Sequence, residues 1–244
     1  MAPSTVTEST VSMDQDIRED FLARVVKGRS FADVGGLWGV VNEKVSVADG
    51  LGAKNLTMID VTPDSAELWK QFRERMVSKG VESASCVSAD VCRVSDLHFD
   101  VVHCSGVLYH HPDPMQLLAA LFRLADDYVV LTSAVSPKVI ENEHGTYRLP
   151  GSGAILIPAL DSQEKKILGK YWAEAGAVID GIHTEVTYSV DEFGPWWWLP
   201  ASRAMKAMCE AVGFRVIDEG PVWNGNAHCL LLDSSGEHSP EQGG

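Results

Sequence analysis

The sequence predicts an α/β fold: a seven-stranded, mostly parallel sheet with helices on both faces, the last strand antiparallel, and a cap-like insertion before strand six. Three observations carry this prediction. Short apolar runs alternate with helix-period segments over residues 17–132 and again over 201–232, and such alternation builds a parallel sheet covered on both faces. The alternation stops over residues 134–200, which hold several Gly and Pro residues and the run Trp196-Trp197-Trp198; so long an interruption inside a domain reads as a lid or substrate cap. The last two apolar runs are separated by only about nine residues, too few for a helical crossover, so they should pair antiparallel.

The elements follow in order. Ile17, Phe21, Leu22, Val25 and Val26 lie at helical spacing. Residues 31–34 form a short buried strand ended by Gly35-Gly36, and a helix-like stretch runs from Val40 to Ala48. Residues 56–60 are the second strand. Pro63-Asp64 should start a helix, with Asp64 and Glu67 at capping-box spacing. Residues 81–87 are the third strand and 99–104 the fourth. Asp113 and Pro114 make an N-cap and first-turn pair for a helix carrying Leu117, Leu118, Leu121 and Leu124. Residues 128–132 are the fifth strand. After the insertion come a helix over 201–212 ended by Gly213, then strands at 214–218 and 228–232.

The 244 residues thus read as one domain, 14–233, between polar tails at 1–13 and 234–244 expected to be disordered. Twenty basic against 34 acidic residues leave a net charge of −14, which argues against nucleic acid as a partner, because phosphate binding needs a basic face. There is no run of 18 apolar residues and no signal-like start, so neither membrane nor secretion is expected. Five cysteines without CxxC spacing read as reduced thiols in a cytoplasmic protein. The expected partners are a small-molecule substrate and, as a homodimer, a second copy of the chain.

In such a sheet, ligands sit outside the carboxyl ends of the strands, where the strand order reverses. The first strand ends in Asp33-Val34-Gly35-Gly36-Leu37-Trp38-Gly39, a turn whose glycines let backbone approach a ligand. Asp60 lies 21 residues after Gly39 at the end of strand two, where a carboxylate can accept both hydroxyl protons of a ribose. The glycine spacing does not fit G-x-G-x-x-G, the nicotinamide pattern.

These residues resemble the first motif of the class I S-adenosylmethionine-dependent methyltransferases, which have a Rossmann-like fold. Asp33, Gly35 and Gly39 match it, while Leu37 stands in place of the middle glycine. Ser88-Ala89-Asp90-Val91 and the stretch from Phe99 through Leu108-Tyr109-His110-His111 resemble the motifs after strands three and four. The resemblance spans about residues 30–132. It implies S-adenosylmethionine as cofactor, with Asp33, Gly35 and Gly39 at its methionine, Asp60 at its ribose, and Asp90 and Val91 at its adenine. Backbone at Cys104 and Ser105 would face the methionine ammonium. The segments 106–110 and 198–201 further resemble a branch that includes tRNA uridine carboxymethyltransferases, although Ala201 replaces that branch's serine and the acidity argues against tRNA.

His110 is the candidate general base, since it follows strand four and titrates near neutrality; the alternative is a structural hydrogen-bonding role. Tyr109, His144, Tyr147, Trp196 and Trp198 are candidate substrate residues, because aromatic walls suit planar acceptors. His183, Tyr188 and Arg148 are further polar groups of the insertion. Three adjacent indoles cannot all point one way, so at least one should face a pocket. His98, His103, His110 and His111 lack metal-ligand spacing, and no metal is expected. The expected activity is methyl transfer to an oxygen or nitrogen of a small aromatic metabolite. Alternatives are carboxymethyl transfer, with Arg148 pairing the extra carboxylate, or a non-catalytic cofactor-binding subunit.

Overall fold

The computed structural model describes residues 16–38 and 43–236. Gly39, the expected tail 1–13 and most of the tail 234–244 lie outside the described residues. Asp16 caps α1 (Ile17–Val25) by accepting from the Arg18 N–H, and Phe21, Leu22 and Val25 turn inward. Then follow β1 (Ser30–Val34), α2 (Val45–Gly50), β2 (Lys54–Asp60), α3 (Glu67–Lys79), β3 (Ser85–Ser88), β4 (Phe99–Ser105), α4 (Pro114–Leu124) and β5 (Ala125–Ala134). After the insertion come α6 (Ser202–Val212), β10 (Arg215–Val222) and β11 (Ala227–Asp233).

The main sheet has seven strands in the order β10-β11-β5-β4-β1-β2-β3. Pairs β1–β2, β2–β3, β1–β4 and β4–β5 are parallel, and β11 runs antiparallel to both β5 and β10. One apolar cluster, including Val102, Leu121 and Met205, fills the face under α4 and α6; another, including Phe31, Trp69 and Val101, fills the face under α1, α2 and α3. The chain leaves β1 toward β2 on one side and later returns to β4 on the other. That reversal opens a crevice at the carboxyl ends of β1 and β4.

Asp113 caps α4 as expected, accepting from the Gln116 N–H with Pro114 in the first turn. Several expected boundaries move: β5 and β10 are longer than expected and α2 begins at Val45, and two further shifts have a local cause. The N-cap of α3 is Ala66, not Asp64, because the residues before it serve other bonds. Thr62 donates from N–H and Oγ1 to Asp60, and its carbonyl accepts from Trp69 Nε1. β3 starts at Ser85 rather than at residue 81, because Val81 closes the preceding helix: its N–H reaches back to the Met76 carbonyl past the left-handed Gly80.

The insertion is a small folded unit. A hairpin of β6 (Val139–Asn142) and β7 (Gly145–Arg148) is followed by β8 (Ala154–Leu156), which pairs antiparallel with β9 (Trp198–Pro200). Between β8 and β9 lies α5 (Ser162–Glu174), opened by a capping box of Asp161 and Glu164. Ile140, Ile155, Ile167, Leu168, Trp172 and Leu199 bury one another against Tyr109 and Ala134, so the cap's core is rooted on the end of the sheet. All five cysteines are free thiols. Among the described residues, no helix is long and apolar enough to cross a membrane.

Candidate active site

A cavity of about 660 Å³ lies over the carboxyl ends of β1 to β4, between the sheet and the cap. That size suits a small-molecule site. Its polar wall comes from strand ends. Asp60, the last residue of β2, is buried: Oδ1 accepts from Thr62 N–H at 2.9 Å and Thr62 Oγ1 at 2.6 Å, and Oδ2 accepts only a long bond, 3.3 Å, from Leu37 N–H. Its second oxygen therefore keeps acceptor capacity toward the cavity. Asp90 follows β3 and caps the single turn Val91–Arg93 by accepting from Cys92 N–H at 2.9 Å. Asp90 and Val91 both line the cavity.

The turn after β1 needs its two first glycines for different reasons. Gly35 has φ +77°, and a Cβ there would lie 2.2 Å from Val107 Cγ2. A Cβ on Gly36 would lie 2.5 Å from Asp33 Oδ2. Asp33 itself is 1% exposed. It accepts from Lys44 N–H at 2.8 Å and from His103 Nδ1 at 2.7 Å, and it borders the cavity beside Ser105. Cys104 turns its side chain into the core, where burial pushes its thiol pKa up.

The apolar wall comes from the connection after β4 and from the cap. Gly106, at φ +79°, turns the chain out of β4, and a single helical turn, Leu108–His110, presents Tyr109 and His110. The Trp197 N–H donates to the Tyr109 carbonyl at 2.7 Å, stitching the cap onto this turn. Trp196 stacks at 4.1 Å between centroids on Tyr109, which lies 4.4 Å from the His110 ring. His110 Nδ1 lies 3.2 Å from the Pro195 carbonyl oxygen. A carbonyl only accepts, so Nδ1 carries the proton and Nε2 keeps its lone pair. Burial holds the His110 pKa below the ordinary histidine value, partly offset by the carbonyls of Pro195 and Gly194. The imidazole is therefore neutral at physiological pH and can accept a proton.

The tryptophan run divides as its adjacency requires. Trp196 faces the cavity, Trp197 packs on Tyr188 at 4.8 Å, and Trp198 donates from Nε1 to the Pro112 carbonyl at 3.1 Å. Trp198 is thus a brace between cap and sheet and is not a lining residue. His144 sits in the exposed β6–β7 turn, and Tyr147 packs on the cap's own core; neither lines the cavity. His183 accepts from Ile179 N–H and donates to the Gly169 carbonyl, so both its ring nitrogens are spent inside the cap. Arg148 is exposed on β7 and is not a lining residue. Residues not expected from sequence also line the cavity: Arg18 from α1, Val107, Phe193, Asp180 of the cap, and Trp223 in the β10–β11 turn. Trp223 has φ +49°, uncommon for a bulky side chain, and Asn224 follows at φ +55°, a left-handed conformation that asparagine tolerates.

Among the described residues, Asp90, Cys92 and His111 bring potential metal-ligand atoms within 4.8 Å of one another. His111 Nδ1 accepts from Asp113 N–H at 3.1 Å, which leaves the ring proton on Nε2, 3.4 Å from Cys92 Sγ. Burial, with Asp90 adding to it, pushes the Cys92 pKa up to about 12. A protonated thiol facing a protonated ring nitrogen is a hydrogen-bonded pair rather than a ligand set.

Residues 32–127 match the family model described as a methyltransferase domain. No curated protein matches the sequence. Similar solved folds include an S-adenosylmethionine-dependent methyltransferase of Aquifex aeolicus, with TM-score 0.52, 13% identity and 88% of each chain covered. The magnesium protoporphyrin IX methyltransferase of Synechocystis, with bound S-adenosylhomocysteine, gives TM-score 0.53 and 14% identity over 85% of this chain and 74% of that one. The 1,6-didemethyltoxoflavin N1-methyltransferase of Burkholderia thailandensis gives 0.52 and 12% over 90% and 79%. At such identities the likeness is one of fold. Residues 32–127 thus carry a methyltransferase-domain match on a fold shared with S-adenosylmethionine-dependent methyltransferases. The domain match makes S-adenosylmethionine the group to test against this cavity. The cavity fits that group: a buried carboxylate with acceptor capacity where a ribose diol needs one, a second acid beside an apolar residue for a base, and a glycine turn that leaves backbone bare between them.

Proposed function

We propose that the chain transfers a methyl group from S-adenosylmethionine to an oxygen or nitrogen of a small aromatic acceptor held between His110 and Trp196. One observation carries this reading: a neutral imidazole with a free Nε2 lone pair stands in an aromatic wall beside the cofactor's acids. Asp60 would hold the ribose, Asp90 and Val91 the adenine, and the turn from Asp33 through Gly36 the amino-acid end. The bound cofactor supplies a methyl on a positively charged sulfonium, whose charge disappears as the methyl leaves, so the protein's tasks are placement and deprotonation. Placement is worth ~7–11 kcal/mol at best. Tyr109, Phe193 and Trp196 would clamp a planar ring and keep water from it. His110 Nε2 would take the proton of the attacking hydroxyl or amine, and the Pro195 carbonyl would steady the imidazolium so formed.

The small-molecule methyltransferases among the similar folds support this reading. Carboxymethyl transfer finds no support in Arg148, which stands outside the cavity. The test is turnover by purified protein. Incubation with S-adenosylmethionine and a panel of phenols and aromatic amines should yield a product heavier by one methylene, seen by mass spectrometry. Tight S-adenosylhomocysteine binding with no turnover across the panel would instead favour a non-catalytic subunit.

A further inference from the structure

The cap side of the cavity carries an acid that the cofactor does not need. Four aspartates line the cavity: Asp33, Asp60 and Asp90 stand at the sheet edge, and Asp180 comes from the cap. Among the described residues no lysine lines it, and the charge of the one lining arginine, Arg18, is matched by Asp16 at 2.6 Å. Asp180 makes no ion pair among the described residues. Its Oδ1 accepts from the neutral Thr184 Oγ1 at 2.6 Å, and its second oxygen keeps acceptor capacity.

The cap's packing holds this acid in place. Ile179 before it is fully buried, and its N–H donates to His183 Nδ1 at 2.8 Å, while His183 Nε2 donates to the Gly169 carbonyl of α5 at 2.9 Å. Gly181 after it, at φ +94°, donates its N–H to the Thr184 carbonyl at 3.1 Å. The turn is thus pinned to α5 and closed on itself, so a ligand held there has little backbone to order. The charge of Asp180 favours the protonated form of His110 and opposes ionisation of Tyr188, which sets it on the His110 side of the cavity. The lining around that side is aromatic: Tyr109, Phe193, Trp196 and Trp223. An unmatched carboxylate among ring faces attracts an organic cation, by ion pairing and by cation–π contact, and repels an anion. A protonated amine has no lone pair with which to attack a methyl group, so the cation held there is not the atom that is methylated.

We infer that the acceptor carries an ammonium group remote from its reacting atom, and that Asp180 receives this ammonium while His110 meets the reacting hydroxyl or amine. Asp180 is then a specificity residue of the acceptor site, and His183 positions it through Ile179. The inference rests on the acceptor lying between His110 and Trp196.

Three phenols matched in size separate these statements: 4-(2-aminoethyl)phenol, which is cationic, 4-propylphenol, which is neutral, and 3-(4-hydroxyphenyl)propionate, which is anionic. Each is titrated by calorimetry into full-length protein loaded with S-adenosylhomocysteine. Asp180 is exposed, so its pull is modest. The amine should bind about three- to tenfold tighter than 4-propylphenol, the range of an exposed ion pair with an aromatic face behind it, and the propionate should bind weakest. Raising the salt concentration should narrow the gap between amine and 4-propylphenol in wild-type protein, a readout that needs no variant to fold. Asp180→Asn keeps an acceptor for Thr184 Oγ1 and removes the charge. It should bring the amine down to the affinity of 4-propylphenol, and Asp180→Glu should restore part of the preference. An amine that binds no tighter than 4-propylphenol in wild-type protein, or a preference that survives in Asp180→Asn, would overturn the inference. Failure of all three phenols to bind would overturn the acceptor placement itself, and the inference with it.

Discussion

The two walls of the cavity are built on opposite plans. The sheet wall is polar: Thr62 fixes Asp60 and Cys92 N–H fixes Asp90, each from two residues away, while Asp33 is held by Lys44 N–H and, across the strands, by His103. The cap wall is aromatic and is held by partners far along the chain, as when Trp197 N–H meets the Tyr109 carbonyl and His110 meets Pro195. Parallel strand ends can present one charge pattern to a constant cofactor. A separately packed cap can present a changeable surface to an acceptor without disturbing it. His110 lies on the seam, supplied by the sheet side and oriented by the cap.

The largest effect should therefore come from the seam. His110→Ala should lower kcat by about 10²–10⁴ and leave S-adenosylhomocysteine affinity nearly unchanged. As the proposed base, His110 would act through its neutral ring, so wild-type kcat should rise with pH through the His110 pKa, which burial places below the ordinary value of 6.5, and be level above it. The variant should lose that rising limb. A loss under about tenfold with the limb retained would reduce His110 to a positioning role.

Next in size is the sheet wall. Each charge-assisted bond from Asp60 to a ribose hydroxyl would be worth ~1.5–3 kcal/mol. Asp60→Ala should weaken S-adenosylhomocysteine at least about tenfold by calorimetry, with the acceptor KM little changed. The smallest effect belongs to the cap. Trp196→Ala should raise the acceptor KM about two- to tenfold, the range of one aromatic stacking contact, and leave cofactor affinity alone. If Asp60→Ala moved acceptor KM, or Trp196→Ala moved cofactor affinity, the two walls would not be separable.

Legibility in the sequence follows the same division. Asp33, Asp60 and Asp90 could be placed because each lies at or just past the end of a strand whose apolar run is visible, and parallel strands send their carboxyl ends to one edge. Arg18 could not, because it is one charged residue on an amphipathic helix that precedes the sheet, and nothing local says which way it points. His103 looked like any strand residue; its meaning depends on the cross-strand neighbour Asp33. In the insertion, α5 carries a sequence signal of its own, since Asp161 and Glu164 have capping-box spacing ahead of Ile167, Leu168 and Trp172. His144, Tyr147 and Trp198 are suggested by residue type alone, and type alone does not orient a side chain.

By itself the sequence determined the strand–helix alternation, the acids at or just after the strand ends and the antiparallel last strand. These depend on period, spacing and connection length, all local or nearly so. Only the tertiary structure decided which tryptophan faces the ligand, which nitrogen of His110 carries the proton, and that Arg18 and His103 share the cavity. Those outcomes rest on contacts between segments many tens of residues apart, such as Asp33 with His103 and Tyr109 with Trp197. The energy that orients such side chains comes from the partner across the fold.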